Sequence, residues 1–181
     1  MIKINMGCGW RNFGSDWVHI DGGDYAHLDY KSITDLSQFK GETVDLIYSS
    51  HVVEYFNREE AASLLSEWNR VLKRGGKLRI AVPNFEVLSK LYLDGTLKLE
   101  QILGPLYGQM AMSKNVIYHK TTYDFKSLEK VLTNAGFRDI LLYDWKKTEH
   151  SEFDDHSQAY YPHMDKENGI LVSLNVECVK K

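Results

Sequence analysis

The sequence predicts a single α/β domain over residues 1–181, with a mixed sheet of seven strands that is mostly parallel and has helices on both faces. The length and the 43% hydrophobic and 26% charged residues suit one domain with a buried core, which excludes disordered and fibrous classes. Strand-like and helix-like segments alternate along the chain, as a parallel sheet covered by helices requires. The last strand-like segment alternates between apolar and polar side chains, which is typical of an antiparallel strand.

The first half of the chain contains four of the seven strand candidates. Residues 2–6 form the first, which ends at Gly7, and residues 17–20 form the second. A weak third strand is expected around residues 27–30 or slightly later, and residues 44–49 form a stronger fourth. Turn residues after these segments mark where the chain leaves the sheet.

Two amphipathic helices are predicted. The first covers residues 57–73, because Asn57 is a suitable N-cap and Glu60 lies three residues on, in capping-box register. Its apolar residues recur at steps of three and four and form one stripe: Ala61, Leu64, Leu65, Trp68, Val71 and Leu72. The second covers about residues 124–135 and ends at Gly136, a residue suited to a left-handed cap.

The remaining strands are expected at residues 77–82, 137–143 and 170–179, the last of them antiparallel. Residues 85–122 and 146–169 do not fit the alternation of strand and helix. Long irregular insertions in a compact domain are usually functional. Because no repeat or linker divides the chain, we treat both regions as insertions in one domain.

Charge and composition exclude several partners. The net charge of −3 gives no overall positive field, so we expect no nucleic-acid partner. Cys8 and Cys178 are too few for a disulfide framework and suit a reducing compartment. No apolar stretch is long enough for a membrane span, and the first residues lack the apolar region of a secretory signal. We therefore expect a cytoplasmic protein.

A ligand site is indicated at the first turn. Gly7 and Gly9 follow the first strand directly, and residues without a Cβ let a ligand approach the backbone closely. Asp21 ends the second strand, where a carboxylate can hold a pair of ribose hydroxyls. By themselves, these features fit equally well a tight turn followed by a solvated aspartate.

The spacing of this turn distinguishes two kinds of nucleotide ligand. Only eleven residues separate Gly9 from Asp21, which leaves room for a loop or about two helical turns. A dinucleotide fingerprint needs a full helix and about twenty residues. The spacing therefore opposes a nicotinamide oxidoreductase. It suits a ligand that contains a nucleoside and an amino acid but no phosphate.

Four segments, in this order, resemble class I S-adenosylmethionine-dependent methyltransferases: 5–9 (NMGCG), 18–21 (VHID), 44–55 (VDLIYSSHVVEY) and 67–83 (EWNRVLKRGGKLRIAVP). The resemblance is greatest to a small branch with a shortened first crossover, often associated with bacterial polysaccharide or cell-envelope synthesis. It covers the first half of the chain most clearly. It implies a Rossmann-like fold, S-adenosylmethionine as cofactor, and methyl transfer to a small-molecule or glycan-type acceptor.

The resemblance also implies which residues bind the cofactor: Met6, Gly7, Cys8, Gly9, Asp21, Gly22, Asp35, Leu36, Ser49 and Ser50. The glycine turn would pack against the methionine part, and Asp21 would bind the ribose. Asp35 and Leu36 would lie beside the adenine, with Asp35 accepting from its exocyclic amine. Ser49 and Ser50 would present backbone groups to the methionine end.

The sequence departs from the family pattern at two positions. Tyr55 follows Glu54 where the family pattern has histidine, and Trp10 replaces the small residue that usually follows the second glycine. Both departures affect the expected outer wall of the pocket more than the fold.

Methyl transfer from a sulfonium requires near-attack geometry in a dry site, and an alcohol or amine acceptor also needs a base. His51 is the first candidate, since it follows the fourth strand beside the expected cofactor, and Glu54 would orient it if the chain is helical there. His119, before the second helix, is the second candidate. Both histidines can equally be structural, His51 as a pocket wall and His119 as a solvated loop residue.

The acceptor site is expected in residues 85–122 and 146–169, because the sequence begins at the first strand and offers no N-terminal cap. Tyr160 and Tyr161 are candidates to stack on a sugar or another flat acceptor, although they could also pin the loop onto the sheet. The second insertion is rich in histidine and acidic residues, but no pair spacing repeats. We therefore predict an exposed acidic loop and no metal site.

A second function class stays open beside the methyltransferase. A non-catalytic module with the same fold would bind S-adenosylmethionine for regulation or as a scaffold. Tyr55 and the shortened crossover favour this alternative. The formation of S-adenosylhomocysteine distinguishes the two, because a binding module retains the cofactor without converting it.

Overall fold

The computed structural model describes residues 1–112 and 115–181. In chain order the elements are β1 (Lys3–Met6), β2 (Val18–Ile20), β3 (Val44–Ser50), α1 (Arg58–Val71), β4 (Leu72–Pro83), α2 (Phe85–Leu93), α3 (Leu99–Tyr107), β5 (Met110–Met112), β6 (Asn115–Ile117), α4 (Phe125–Asn134), β7 (Phe137–Leu142), β8 (Tyr160–Tyr161), β9 (Ile170–Leu171) and β10 (Ser173–Lys180). None of the helices in the described ranges combines the length and the apolarity that a bilayer crossing requires.

The main sheet confirms the predicted α/β class. Its strand order is β2-β1-β3-β4-β10-β7. The first four strands are parallel neighbours, and β10 is antiparallel to both β4 and β7. The antiparallel last strand was therefore predicted correctly, and β7 forms one edge of the sheet.

Within residues 1–112 and 115–181 the main sheet has six strands, so the prediction of seven was wrong by one. The segment expected as the third strand contributes only an isolated bridge between Ile20 and Tyr30. Its Asp29 carboxylate accepts from the backbone N–H of His19 at 2.8 Å, in the place where a strand carbonyl would bond. A side chain that competes for the ladder in this way stops the strand from extending.

Helix α1 begins as the sequence predicts. The Asn57 side chain accepts from the backbone N–H groups of Glu59 and Glu60, and the Glu60 carboxylate accepts from the N–H of Asn57. The apolar stripe is buried, and Trp68 is completely covered while its indole N–H donates to the Ile33 carbonyl at 2.9 Å. This face of α1 packs with α4 on one face of the sheet and forms the main core.

An aromatic cluster takes the place of a first-crossover helix. The chain between β1 and β2 contains no helix. Phe13 instead packs edge-on against Trp17, with ring centroids 5.3 Å apart, and lies 5.8 Å from the ring of Tyr48 in β3. Phe153, from the later insertion, stacks on Phe13 at 4.4 Å. Two segments distant in sequence therefore jointly cover the sheet face that α1 does not.

We expect Phe13→Ala to lower the free energy of unfolding by about 3–5 kcal/mol, because Phe13 is only 5% exposed and four aromatic neighbours would lose their contact. Urea unfolding followed by circular dichroism measures the change. Leu93→Ala is the control, since Leu93 is 81% exposed and its replacement should change stability by less than about 0.5 kcal/mol. Equal losses in the two variants would contradict the role of the cluster.

Candidate functional site

A cleft of about 1360 Å³ opens at the carboxyl ends of β1 and β3. Single small ligands usually occupy about 300–1000 Å³, so the cleft has room for two ligands in contact. Its walls combine the glycine turn, the ends of β2 and β3, and residues of both insertions. A smaller cavity of about 230 Å³ lies elsewhere, between α4 and β10, and contains none of the predicted site residues.

The glycine turn after β1 is shaped by two different requirements. Gly7 has a φ of +70°, and a Cβ there would overlap the side chain of Val52. Gly9 has a φ of +57° and faces open space, so its backbone borders the cleft without a side chain in between. The turn therefore packs tightly on one side and leaves its backbone accessible on the other.

Asp21 joins two loops at the floor of the cleft. One carboxylate oxygen accepts from the backbone N–H of Gly9 at 2.8 Å, and the other accepts from that of Gly23 at 2.6 Å. The residue is 9% exposed, and it lines the cleft. Each carboxylate oxygen has a second lone pair, so Asp21 can also accept from two hydroxyls of a ligand.

The predicted cofactor residues are not all brought to the cleft wall. Its lining includes Gly7, Gly9, Asp21, Gly22 and Ser50. The side chains of the others lie elsewhere. Met6, Leu36 and Ser49 are fully covered, and the Cys8 thiol lies 3.7 Å from His27 Nε2.

The segment expected beside an adenine approaches the cleft through a different residue. Asp35 is exposed, and its carboxylate accepts from the N–H of Ser37 at 3.0 Å. Ile33, two residues earlier, lines the cleft. The roles of Asp35 and Leu36 stay predictions.

The structure brings the three predicted catalytic residues together. Glu54 lies in the short 3₁₀ turn Val53–Tyr55 and is 1% exposed. Its Oε1 lies 3.4 Å from His51 Nδ1 and 3.9 Å from His119 Nε2. Burial raises the pKa of Glu54 to about 8, so the carboxyl is mostly protonated at pH 7.

The Nε2 of His51 contacts a buried hydroxyl group. Its Nε2 lies 3.3 Å from the Ser173 hydroxyl oxygen, and that hydroxyl donates to the Asn175 side-chain oxygen at 2.9 Å. Because the hydroxyl hydrogen is already used, Nε2 must donate, which leaves the lone pair on Nδ1, at 3.4 Å from Glu54 Oε1. Burial lowers the pKa of His51 well below its usual value, which agrees with a neutral ring.

His119 has the opposite tautomer. Its Nδ1 lies 3.0 Å from the Pro105 carbonyl oxygen, and because a carbonyl only accepts, Nδ1 carries the hydrogen. The lone pair is therefore on Nε2, for which the described residues provide no hydrogen bond. Burial lowers the pKa of His119, so this nitrogen is unprotonated at pH 7. His119 therefore has an Nε2 lone pair that no described residue uses, whereas the Nδ1 lone pair of His51 faces the buried Glu54 carboxyl at 3.4 Å.

His156 and Arg11 are among the cleft residues that sequence reasoning did not propose for the site. His156, from the second insertion, places its ring 5.0 Å from that of His51, and burial lowers its pKa. Arg11 lines the same region and donates from Nε to the Asp154 carbonyl at 2.7 Å. Arg11 follows Gly9 closely, which is a signal that could have identified it. His156 was considered only as one of several metal-ligand types.

Both insertions contribute to the cleft wall. The first supplies mainly apolar residues of the β5–β6 hairpin, including Met110, Val116 and Ile117, and the second supplies His156 and Ala159. An acceptor role for these regions stays a prediction. Within residues 1–112 and 115–181, no group of three or more metal-ligating side chains is arranged to hold a metal ion.

Tyr160 and Tyr161 lie outside the lining of the cleft. The Tyr160 hydroxyl accepts from the Trp145 indole N–H at 3.3 Å, and the Tyr161 hydroxyl donates to the Thr96 carbonyl at 3.3 Å. These contacts connect the second insertion to the rest of the domain. Stacking of either ring on an acceptor stays a prediction.

Residues 11–80 match the model of a family described as a methyltransferase domain. No curated protein sequence matches the chain. An S-adenosylmethionine-dependent methyltransferase from Thermotoga maritima, described as a possible histamine N-methyltransferase, is similar in structure with a TM-score of 0.60 at 14% identity, over 99% of this chain and 81% of the other. A second such enzyme, from Archaeoglobus fulgidus, has a TM-score of 0.58 at 18% identity, over 99% and 86%.

The third structure is 1,6-didemethyltoxoflavin-N1-methyltransferase from Burkholderia thailandensis, with bound 1,6-didemethyltoxoflavin and S-adenosylhomocysteine. Its TM-score is 0.56 at 11% identity, over 99% of this chain and 71% of the other. The structural similarities establish the fold. Together with the family match, they confirm the resemblance found in the sequence and support S-adenosylmethionine as the cofactor.

We expect the free energy of unfolding to fall by about 2 kcal/mol between pH 6.5 and 8, through Glu54 alone. In this range, Glu54 keeps its proton in the folded protein and loses it in the unfolded chain, so raising the pH favours unfolding. His51 and His119 have lowered pKa values in the folded protein, so their contribution to the free energy of unfolding rises with pH only up to about 6.5, where the unfolded chain also loses these protons. Denaturant titrations at several pH values measure the slope.

Glu54→Gln should remove this part of the pH dependence, because an amide does not ionise. The exposed Glu129→Gln is the matched control and should keep the wild-type slope. An unchanged slope in the Glu54 variant would show that this carboxyl ionises in the folded protein as it does in the unfolded chain.

Proposed function

Because the chain has the class I S-adenosylmethionine-dependent methyltransferase fold and a methyltransferase-domain sequence, we propose that it transfers a methyl group to a small-molecule or glycan-type acceptor. The observation that carries the proposal is the convergence of Asp21, held at the backbone of the glycine turn, and the free Nε2 of His119 on one cleft. The cleft has room for a cofactor and an acceptor together.

The residues present fit the proposed cofactor. The open backbone at Gly9 offers a cradle that a Cβ would narrow, and Asp21 retains lone pairs for the ribose hydroxyls. When bound, S-adenosylmethionine supplies an electrophilic methyl group on a sulfonium. A ligand held by Gly9 and Asp21 in this way needs no phosphate site. This agrees with the crossover between β1 and β2, which contains no helix.

The second insertion and the apolar hairpin would hold the acceptor and exclude water from it, which supports the near-attack geometry that displacement requires. His119 would take the proton of an acceptor hydroxyl or amine on Nε2, while the Pro105 carbonyl keeps the hydrogen on Nδ1. His51 would act as a positioning residue, since its Nδ1 lies 3.4 Å from Glu54 Oε1. The Glu54 Oε1 lies 3.9 Å from the same Nε2 of His119, so this buried carboxyl borders the proposed base.

Asp21→Asn is expected to weaken the binding of S-adenosylhomocysteine by about 10- to 100-fold, because hydrogen bonds to a charged group are lost. Isothermal titration calorimetry measures the affinity. Asp16→Asn is the control, since Asp16 lies exposed in the same crossover and should leave affinity unchanged. If wild-type protein does not bind S-adenosylhomocysteine at all, the cofactor proposal fails.

His119→Gln is expected to lower kcat by about 10²- to 10⁴-fold and to leave the affinity for S-adenosylhomocysteine unchanged, because the variant lacks only the base. The measurement is S-adenosylhomocysteine formation over a panel of hydroxyl, amine and glycan acceptors. His51→Gln should have a smaller effect on kcat. Turnover that is unchanged in His119→Gln would exclude His119 as the base.

The same panel tests the alternative of a non-catalytic binding module. Such a protein would bind the cofactor in calorimetry and form no S-adenosylhomocysteine with any acceptor. Product formation by wild-type protein with one acceptor class identifies both the activity and the acceptor atom.

A further inference from the structure

The crossover between β1 and β2 lacks the positive end of a helix. Where a helix begins directly after a glycine turn, its first N–H groups carry about half a positive charge and attract an anionic ligand group. Here the chain forms a turn instead, in which the N–H of Arg11 donates to the Cys8 carbonyl at 3.1 Å. Positive charge beside the glycine turn must therefore come from a side chain.

Arg11 supplies that charge. It is half-buried and lines the cleft two residues after Gly9. Its Nε donates to the Asp154 carbonyl at 2.7 Å, and its guanidinium lies 4.8 Å from the centre of the Trp10 ring. These contacts fix the side chain but do not neutralise it, since a carbonyl and an aromatic ring carry no net charge.

The guanidinium has no carboxylate partner among residues 1–112 and 115–181. The nearby Asp154 carboxylate is engaged with Lys166, at 2.7 Å. The histidines beside Arg11 are neutral, because burial lowers the pKa of His51 and His156 and the charge of Arg11 lowers both further. An anionic ligand group in this part of the cleft would therefore meet one uncompensated cation.

We propose that Arg11 binds the carboxylate of the cofactor's amino acid and replaces the helix N-terminus that the short crossover lacks. The proposal rests on the proposed function, because it assumes that S-adenosylmethionine is the ligand. A guanidinium matches a carboxylate with two parallel hydrogen bonds, and Asp21 matches hydroxyls at the other end of such a ligand. Arg11 is thus a binding residue rather than a catalytic one.

Two ligands that differ in the amino acid test the proposal. S-adenosylhomocysteine carries the amino acid, and 5′-methylthioadenosine shares the adenosine and the thioether but lacks it. We expect Arg11→Gln to weaken S-adenosylhomocysteine binding by about 10- to 100-fold in calorimetry and to change 5′-methylthioadenosine binding by less than about twofold. Arg11→Lys should lose less affinity for S-adenosylhomocysteine, since lysine keeps the positive charge but lacks the paired N–H donors of a guanidinium.

Arg138→Gln is the control for the loss of one arginine, because Arg138 is exposed on β7 and pairs only with its neighbour Asp139 among the described residues. It should change neither affinity. Thermal unfolding without ligand checks that Arg11→Gln is folded, and Arg11→Lys replaces it if it is not.

Three results would overturn the inference. If Arg11→Gln binds S-adenosylhomocysteine as wild-type protein does, the carboxylate has another partner. If Arg11→Gln weakens the binding of both ligands equally, Arg11 stabilises the loop and does not bind the carboxylate. If wild-type protein binds neither ligand, the cofactor proposal itself fails, which is distinct from the first two results.

Discussion

The carboxylate of Asp21 is the constraint on which the cleft depends. It accepts from the N–H groups of Gly9 and Gly23, so one charged side chain fixes the loops that follow β1 and β2. Hydrogen bonds to a charged group are stronger than neutral ones, and here they are shielded from water. The same group borders the cleft. The carboxylate that organises the site is therefore the one suited to hold a ligand's hydroxyls.

The group formed by Glu54, His51 and His119 is close to neutral. Burial keeps the proton on Glu54 and keeps it off His51 and His119, so these residues carry little charge at pH 7. Asp21 and Arg11, which line the cleft near the glycine turn, are charged side chains by contrast. A neutral group costs less to bury than an ion pair would. It also leaves the Nε2 lone pair of His119 available.

Residues whose position is set by neighbours in sequence were predicted well. The start of α1 follows from Asn57 and Glu60, and the place of Asp21 follows from the end of a strand. The strand at residues 27–30 was predicted wrongly, because the Asp29 side chain accepts the backbone hydrogen bond from His19 that a strand carbonyl would otherwise accept. Arg11 contacts the second insertion and His156 packs against His51, and a single sequence does not encode either proximity in any local pattern.

The aromatic cluster has a consequence for how this domain can change over time. Phe153 and His150 belong to the packing that covers the sheet, while His156, a few residues on, borders the cleft. Asp155, which lies between Phe153 and His156 in the sequence, accepts from the buried hydroxyl of Tyr48 at 2.5 Å. The second insertion thus contributes both to the packing of the sheet and to the wall of the cleft. Substitutions that reshape the cleft from this loop are therefore coupled to the stability of the fold.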